Sequence, residues 1–399
     1  MKLKECMFWK IYLVGGLFSI FFGFPARAGL TPGHLNLLKE IVEINSASEN
    51  TAGSRKVREI LEPHFLKLGF QQKRVPLEGG HELWVMDFPG EKVELLLIGH
   101  LDTVFPATSA FQSLRVFPDR LVGPGVIDMK GGVILMLQAL EELKDTNLLK
   151  KVRIIFNDDE EIGSPFSKEA IHREAAGVRR GLVFEPGRPG GAWVTSQSGV
   201  YWFEMVVHGK ASHAGQAPEK GVNACVDLSQ KIVEVVKLMR LDQGFSISPD
   251  VIQGGTKTNI VCDTASVKVD SRYRNPRDLE ALRKRIKELA RTSFVRNDSG
   301  QGSTTEVNTL ADLPAMTMTS TRDLFKEAQT VGKKMRIKVV GEHAGYGSDA
   351  NHLAPTGMSL LVGLGPWGDG MHTEAETLEL RAYDERLVWL KEYLKVLLK

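Results

Sequence analysis

Imidazole and carboxylate side chains recur in this sequence just beyond its short apolar runs. Val93–Ile98 is followed by His100 and Asp102, and Val152–Phe156 by Asp158, Asp159, Glu160 and Glu161. Leu182–Phe184 leads into Glu185, and Met358–Val362 leads through a glycine-rich loop to His372. Asp128 stands in Gly-Pro-Gly-Val-Ile-Asp-Met-Lys-Gly-Gly, at the entry to the helical stretch Gly131–Leu143. In open α/β sheets, ligands bind outside the carboxyl ends of the strands. A set of nitrogen and oxygen donors at that address, with no thiolate among them, suits a divalent cation: zinc first, with cobalt or manganese as substitutes. Each piece alone is weak. His-x-Asp occurs by chance, and an acidic run is as readily a solvated loop. The shared address and the glycine-rich settings of Asp128 and His372 are what set a metal site against a collection of unrelated loops. Other chemistries lack their residues: Gly123-x-Gly125 has no third glycine and no Gly-Lys-Ser/Thr follows, and there is no Gly-x-Ser-x-Gly elbow and no Cys-x-x-Cys.

The elements that must position these groups read as two kinds of unit. Helical patterns at Leu35–Ile44 and Lys56–Leu68 precede an alternation of short apolar strands and helices. Further strands are expected at Ile337–Val340 and Met358–Val362, and a closing helix from about Asp384 to Leu398. That alternation predicts an α/β sheet covered on both faces by helices. The middle differs. Tyr201, Phe203, Met205 and Val207 alternate with polar residues, and Val267, Val269 and Tyr273 lie opposite Lys268, Asp270 and Arg272. Period-2 patterning of this kind marks a sheet with one wet face. Helical segments near Asn223–Leu241 and Pro276–Thr292 would cover its other face, giving an α+β unit. The expected division is 29–197 with 309–399 for a discontinuous larger domain, and 198–308 for the insertion.

Composition bounds the answer. The chain has 399 residues, 42% hydrophobic and 25% charged, with a formal net charge of +2, which suits a folded protein of about two domains and not a disordered one. No basic block points to nucleic acid as a partner. A basic start, an apolar stretch from Ile11 to Phe24 and Pro25-Ala26-Arg27-Ala28 form a signal peptide over residues 1–28. The stretch is short for a membrane span, which needs about 20 residues. Cleavage after Ala28 would leave 47 basic and 48 acidic residues, a net charge of −1. The expected product is periplasmic or secreted, with no stable membrane association. It keeps only Cys225 and Cys262, too few for a disulfide framework but enough for one bridge in an oxidising compartment.

Taken together the motifs resemble the M20 family of zinc metallopeptidases, and within it the secreted glutamate carboxypeptidases. The matching stretches are Gly99-His100-Leu101-Asp102-Thr103-Val104, Gly123-Pro124-Gly125 through Asp128-Met129-Lys130-Gly131-Gly132, Asp159-Glu160-Glu161, Gly209-Lys210-Ala211-Ser212-His213-Ala214-Gly215 and Met371-His372-Thr373, in order from about Leu35 to the C-terminus. The resemblance implies a zinc-peptidase catalytic domain with a mixed sheet, and an inserted lid and dimerisation domain. It implies two zincs per chain: His100 and Glu185 on one, Glu161 and His372 on the other, Asp128 bridging. Glu160 falls on the general base and Asp102 on the group that orients His100, and the peptide bond after Asp128 is expected to be cis. A carboxylate beside such ions can take a proton from the attacking water and pass it to the leaving amine. His213 matches a histidine that reaches the scissile carbonyl, in relatives that pair as homodimers through the insertion. Asn259 and Arg272 match positions that grip substrate, a fork-shaped guanidinium suiting a terminal carboxylate. Without that context His213 is a turn histidine and Arg272 a surface charge on the polar face of its strand. The sequence departs from glutamate-cleaving relatives at Ala192 and Leu313, which stand near a lysine and an arginine of theirs, and Tyr346 interrupts a loop that is usually glycine. The implied activity is release of a C-terminal amino acid from a small peptide or N-acyl amino acid. An N-acyl-amino-acid deacylase or dipeptidase is the alternative on the same scaffold. A non-catalytic ligand-binding homologue ranks last, because no ligand or base is missing.

Overall fold

The structure is a computed structural model and describes residues 29–143 and 146–399. The signal peptide expected over residues 1–28 lies outside the described residues. An eight-stranded sheet dominates, in the spatial order Gln71–Pro76, Glu82–Asp87, Val152–Asn157, Leu95–His100, Arg180–Val183, Ser359–Val362, Trp193–Gln197 and Gly341–Ala344. It is mixed. The four adjacent strands from Val152–Asn157 to Ser359–Val362 run parallel to one another, while Glu82–Asp87 and Trp193–Gln197 flank them antiparallel.

Alternation within these strands explains the layers. Leu95 and Leu97 face one core, Leu96 and Ile98 the other, and all four are fully buried. The first core is covered by the helices Pro32–Val42, Thr51–Lys67, Gly131–Leu143 and Leu380–Leu398, the second by Lys168–Ala175 and Asp349–Leu353. A parallel sheet buried on both faces needs near-continuous apolar strands, which is what the sequence supplies.

The insertion is a four-stranded antiparallel sheet in the order Ser246–Gly254, Thr264–Tyr273, Gly199–His208, Thr304–Leu313. Tyr201, Phe203, Met205 and Val207 form its core with Val267 and Val269, packed on the helices Ala224–Val236 and Pro276–Ala290. Cys225, in the first turn of one of those helices, is disulfide-bonded to Cys262, which precedes the Thr264–Tyr273 strand. The chain leaves and re-enters the larger domain side by side, through an isolated bridge between Gln197 and Met316. Tyr273 closes this junction. Its hydroxyl donates to Leu313 O at 3.0 Å, and its ring lies so close to Gly199 that a Cβ there would sit 2.2 Å from it.

Two expectations are corrected. The boundary at 308 falls inside a strand, because Thr304–Leu313 pairs along its length with Gly199–His208, so the insertion's sheet runs to Leu313. The strand expected at Ile337–Val340 starts later, at Gly341. Ile337 and Val339 instead finish the helix Met318–Met335: Arg336 turns left-handed at φ 59° and the Ile337 amide returns to Gly332 O at 2.9 Å. That closure spends the apolar pair on capping the helix and not on the ladder.

Candidate metal centre

Four contiguous parallel strands end on the same side of the sheet, and the chemistry-bearing residues follow their ends. His100 is the last residue of Leu95–His100. Glu160 and Glu161 open the short turn after Val152–Asn157, Glu185 follows Arg180–Val183, and His372 lies beyond Ser359–Val362. Asp128 enters from the turn before Gly131–Leu143, where Gly125 is left-handed at φ 68° and the Asp128–Met129 peptide is cis, as the resemblance implies.

These side chains converge. His100 Nε2 lies 3.3 Å from Asp128 Oδ1 and 3.7 Å from Glu185 Oε1. His372 Nε2 lies 3.1 Å from Asp128 Oδ2 and 3.2 Å from Glu161 Oε2. Asp128 therefore stands between the two imidazoles, one oxygen toward each. Among the described residues, two groups have ligand atoms close enough to hold an ion: His100, Asp128 and Glu161, and His100, Glu160 and Glu185; His372, expected with Glu161, is in neither.

Asp102 organises the centre from behind. Its Oδ1 is 3.3 Å from His100 Nδ1, and its carboxylate accepts the amides of Glu160 at 3.3 Å and Glu161 at 3.1 Å. Ser48 Oγ donates to its other oxygen at 2.6 Å. One fully buried carboxylate thus fixes both the imidazole and the turn that bears the two glutamates. Asp159 holds the far side of that turn, accepting the amides of Phe166 and Ser167. Sequence reasoning missed Glu376, which is fully buried and accepts the amides of Ile127 at 2.9 Å and Asp128 at 3.2 Å. It fixes the backbone that presents Asp128. The only signal was an acid four residues after His372, which nothing separates from a solvated loop.

The electrostatics describe a cluster short of positive charge. Burial, and then Glu185, hold Glu160 well above the usual carboxylate range. Burial and Asp128 push Glu161 up to about 7, and the same causes raise Glu185 strongly. Hydrogen bonds to Asp128 and Glu161 hold His372 up at about 10. For His100, burial acts downward, but Asp102 and Asp128 outweigh it and the net direction is up. Glu161 Oε1 is buried without a hydrogen-bond partner. Imidazoles and carboxylates crowded at one address, all but the half-exposed His372 withdrawn from solvent and with an orphaned carboxylate oxygen among them, are a donor set that divalent cations would satisfy. The residues fit such ions.

A cavity opens above the centre. Asp128, Glu160, Glu161, Glu185 and His372 line one side, and Val200, Trp202, Arg272 and Leu313 from the inserted sheet line another. Arg272 is bound side-on by Asp270 of the same strand, Nε–Oδ1 2.8 Å and Nη2–Oδ2 2.9 Å, and lies 5.8 Å from the Trp202 ring. The structure does not bring His213 or Asn259 into this cavity. Both are exposed, on adjoining loops joined by Ala214 N to Asn259 O at 3.0 Å. His213 Nδ1 accepts the amides of Gly215 and Gln216 at 3.2 and 3.1 Å, which assigns its proton to the outward Nε2.

Comparison with known proteins places the chain. Carboxypeptidase G2 of Pseudomonas sp. is 30% identical over 387 residues, covering 91% of this chain and 89% of the relative. The crystal structure of aminopeptidase PepT from Bacillus cereus superposes with a TM-score of 0.74 at 22% identity, covering 92% of this chain and 98% of that one. The YXEP protein of Bacillus subtilis, described as a dinuclear metal-binding peptidase, gives 0.64 at 18% identity, covering 92% and 98%. At those identities the two structures establish the fold alone. The pattern of peptidase family M20/M25/M40 matches residues 96–396. With that match over most of its length, the chain belongs to peptidase family M20/M25/M40 and is a hydrolase of the metallopeptidase type.

Proposed function

We propose that the protein is an exported di-zinc carboxypeptidase, a homodimer that hydrolyses the amide bond before a C-terminal amino acid of a small peptide or N-acyl amino acid. The observation that carries this is the joint occupancy of one cavity by the ligand clusters and by Arg272. A guanidinium across from a metal centre recognises a substrate's free carboxylate and sets its neighbouring amide over the ions.

His100 and Glu185 would hold one zinc, Glu161 and His372 the other, with Asp128 shared and Asp102 orienting His100. When bound, the pair polarises the scissile carbonyl and makes the attacking water acidic at neutral pH. Glu160 takes that water's proton and returns it to the leaving nitrogen. Its place on the cavity wall, next in sequence to the ligand Glu161, suits a group that must both accept and release a proton. The outward Nε2–H of His213 suits a donor to the carbonyl oxygen as it becomes negative. His213 and Asn259 lie off their own cavity, which supports their supply by a partner chain. The edge strand Ser246–Gly254, with Val251 and Ile252 exposed, offers the surface for pairing. Residues 1–28 support export to the periplasm or beyond, and no described helix is long and apolar enough to cross a membrane.

The test compares an N-acyl amino acid with its amide on zinc-loaded protein. Wild type should cleave the acid and barely touch the amide. Arg272→Ala should raise KM for the acid by an amount worth roughly 2–5 kcal/mol and lose the discrimination. Equal cleavage of acid and amide by wild type contradicts the proposal.

A further inference from the structure

The wall around Arg272 carries more than a carboxylate grip. In the inserted sheet Arg272 pairs directly with Val200, and Val200 pairs on its other side with Leu313. Trp202 stands one row along, between Asp270 and Ala311. Strands lie about 4.8 Å apart, so Val200 is one strand and Leu313 two strands from the guanidinium on the same face. An amino acid whose carboxylate rests on Arg272 therefore lays its side chain across Val200 and Leu313. Leu313 is wedged between the loops that close this end: its Cδ2 would lie 2.8 Å from a Cβ on Gly347, and its Cδ1 3.6 Å from one on Gly163.

The apolar wall offers little to an acidic side chain. Among the described residues lining the cavity, the cations are Arg272 and His372; the acids Asp128, Glu160, Glu161 and Glu185 belong to the metal centre, whose ions would offset their charge. Asp270 already occupies one edge of Arg272, which leaves Nη1 and part of Nη2 for a single carboxylate. His372 points at Asp128 and Glu161. A second substrate carboxylate would lie against Val200 and the buried Leu313 with no lining cation left to meet it, Arg188 standing outside the lining at 6.0 Å from the Tyr346 ring, and such burial is costly. An apolar side chain there gains burial instead.

We infer that the amino acid released is apolar, of the leucine, methionine or phenylalanine class, and that Leu313 sets this preference. The inference rests on the carboxypeptidase function proposed above. The test measures kcat/KM of zinc-loaded protein on N-acetyl leucine, phenylalanine, glutamate and lysine, with leucine amide as control and a series of acyl groups on leucine. Wild type should favour leucine and phenylalanine over glutamate at least tenfold. Leu313→Arg should reverse that ratio, and Leu313→Ala, a gentler change, should move the optimum from leucine toward phenylalanine. Calorimetric titration of free leucine and free glutamate into wild type should rank them in the same order without turnover. Glutamate preferred by wild type, a leucine-to-glutamate ratio indifferent to both folded variants, or selectivity confined to the acyl group would overturn the inference. Leucine amide cleaved as fast as the acid would instead contradict the function on which it rests.

Discussion

Asp102 makes no approach to substrate, yet its carboxylate meets His100, the amides of Glu160 and Glu161, and the Ser48 hydroxyl. An amide side chain in its place would turn a donor toward groups that are themselves donors. Asp102→Asn should therefore weaken zinc affinity roughly 10- to 100-fold, as loss of such supporting partners does, while the fold survives. A competitive chelator titration measures this, and unchanged affinity would show that His100 and the glutamate turn are fixed by other contacts. His100, Glu160, Glu161, Glu185 and His372 were legible as ligand types beyond apolar strands, whose ends share an address, and Asp128 from its glycine-rich setting before a helix; their roles came from the family resemblance. Glu376 was not legible: its partners are the backbone amides of Ile127 and Asp128, about 250 positions away, and no side-chain pattern encodes them. The exposed positions of His213 and Asn259 were equally hidden, since a motif fixes a loop's conformation but not what the loop faces.

Elements hold the glutamate turn from its other end. The short helix Asp349–Leu353 presents His352, buried, whose Nε2 lies 3.2 Å from Gly163 O. Burial pushes this histidine down to about 4, against an upward pull from the Gly163 carbonyl. The native imidazole thus stays neutral while an unfolded one, near 6.5, takes a proton. Its contribution is complete above pH 6.5 and is lost as pH falls toward 4, by up to about 3 kcal/mol. Urea unfolding from pH 7 to 4 should show wild type losing stability faster than His352→Gln, which keeps a donor for Gly163. Parallel curves would remove His352 from the acid limb. The helix is short and its sequence, Asp-Ala-Asn-His-Leu, has too few turns for periodicity to reveal it. Strands of the larger sheet were legible from their unbroken apolar runs. The Ile337–Val340 run misled because a left-handed Arg336 directs its side chains back onto the preceding helix, a tertiary use that a strand pattern does not distinguish.

At the scale of the whole molecule, the alternation of period-2 and buried strands correctly separated an inserted half-wet sheet from a larger covered one, though the junction at Leu313 needed the ladder itself. If a partner's His213 completes each site, two inactive variants should complement. Mixing Glu160→Gln with His213→Ala and allowing exchange should restore about a quarter of wild-type activity, since random pairing yields mixed dimers half the time and one complete site in each. No recovery after proven exchange would place His213 within its own chain's chemistry or outside it altogether. The proposed hydrolysis depends on a metal pair with one glutamate binding it and its neighbour moving the proton. The direct measurement is zinc content alongside turnover in wild type, Glu160→Gln and Glu161→Gln. Two zincs per chain in wild type, both retained by Glu160→Gln with turnover collapsed, and one loosened in Glu161→Gln, is the predicted outcome. Zinc lost from Glu160→Gln with activity largely kept, or full hydrolysis by metal-stripped wild type, would contradict it.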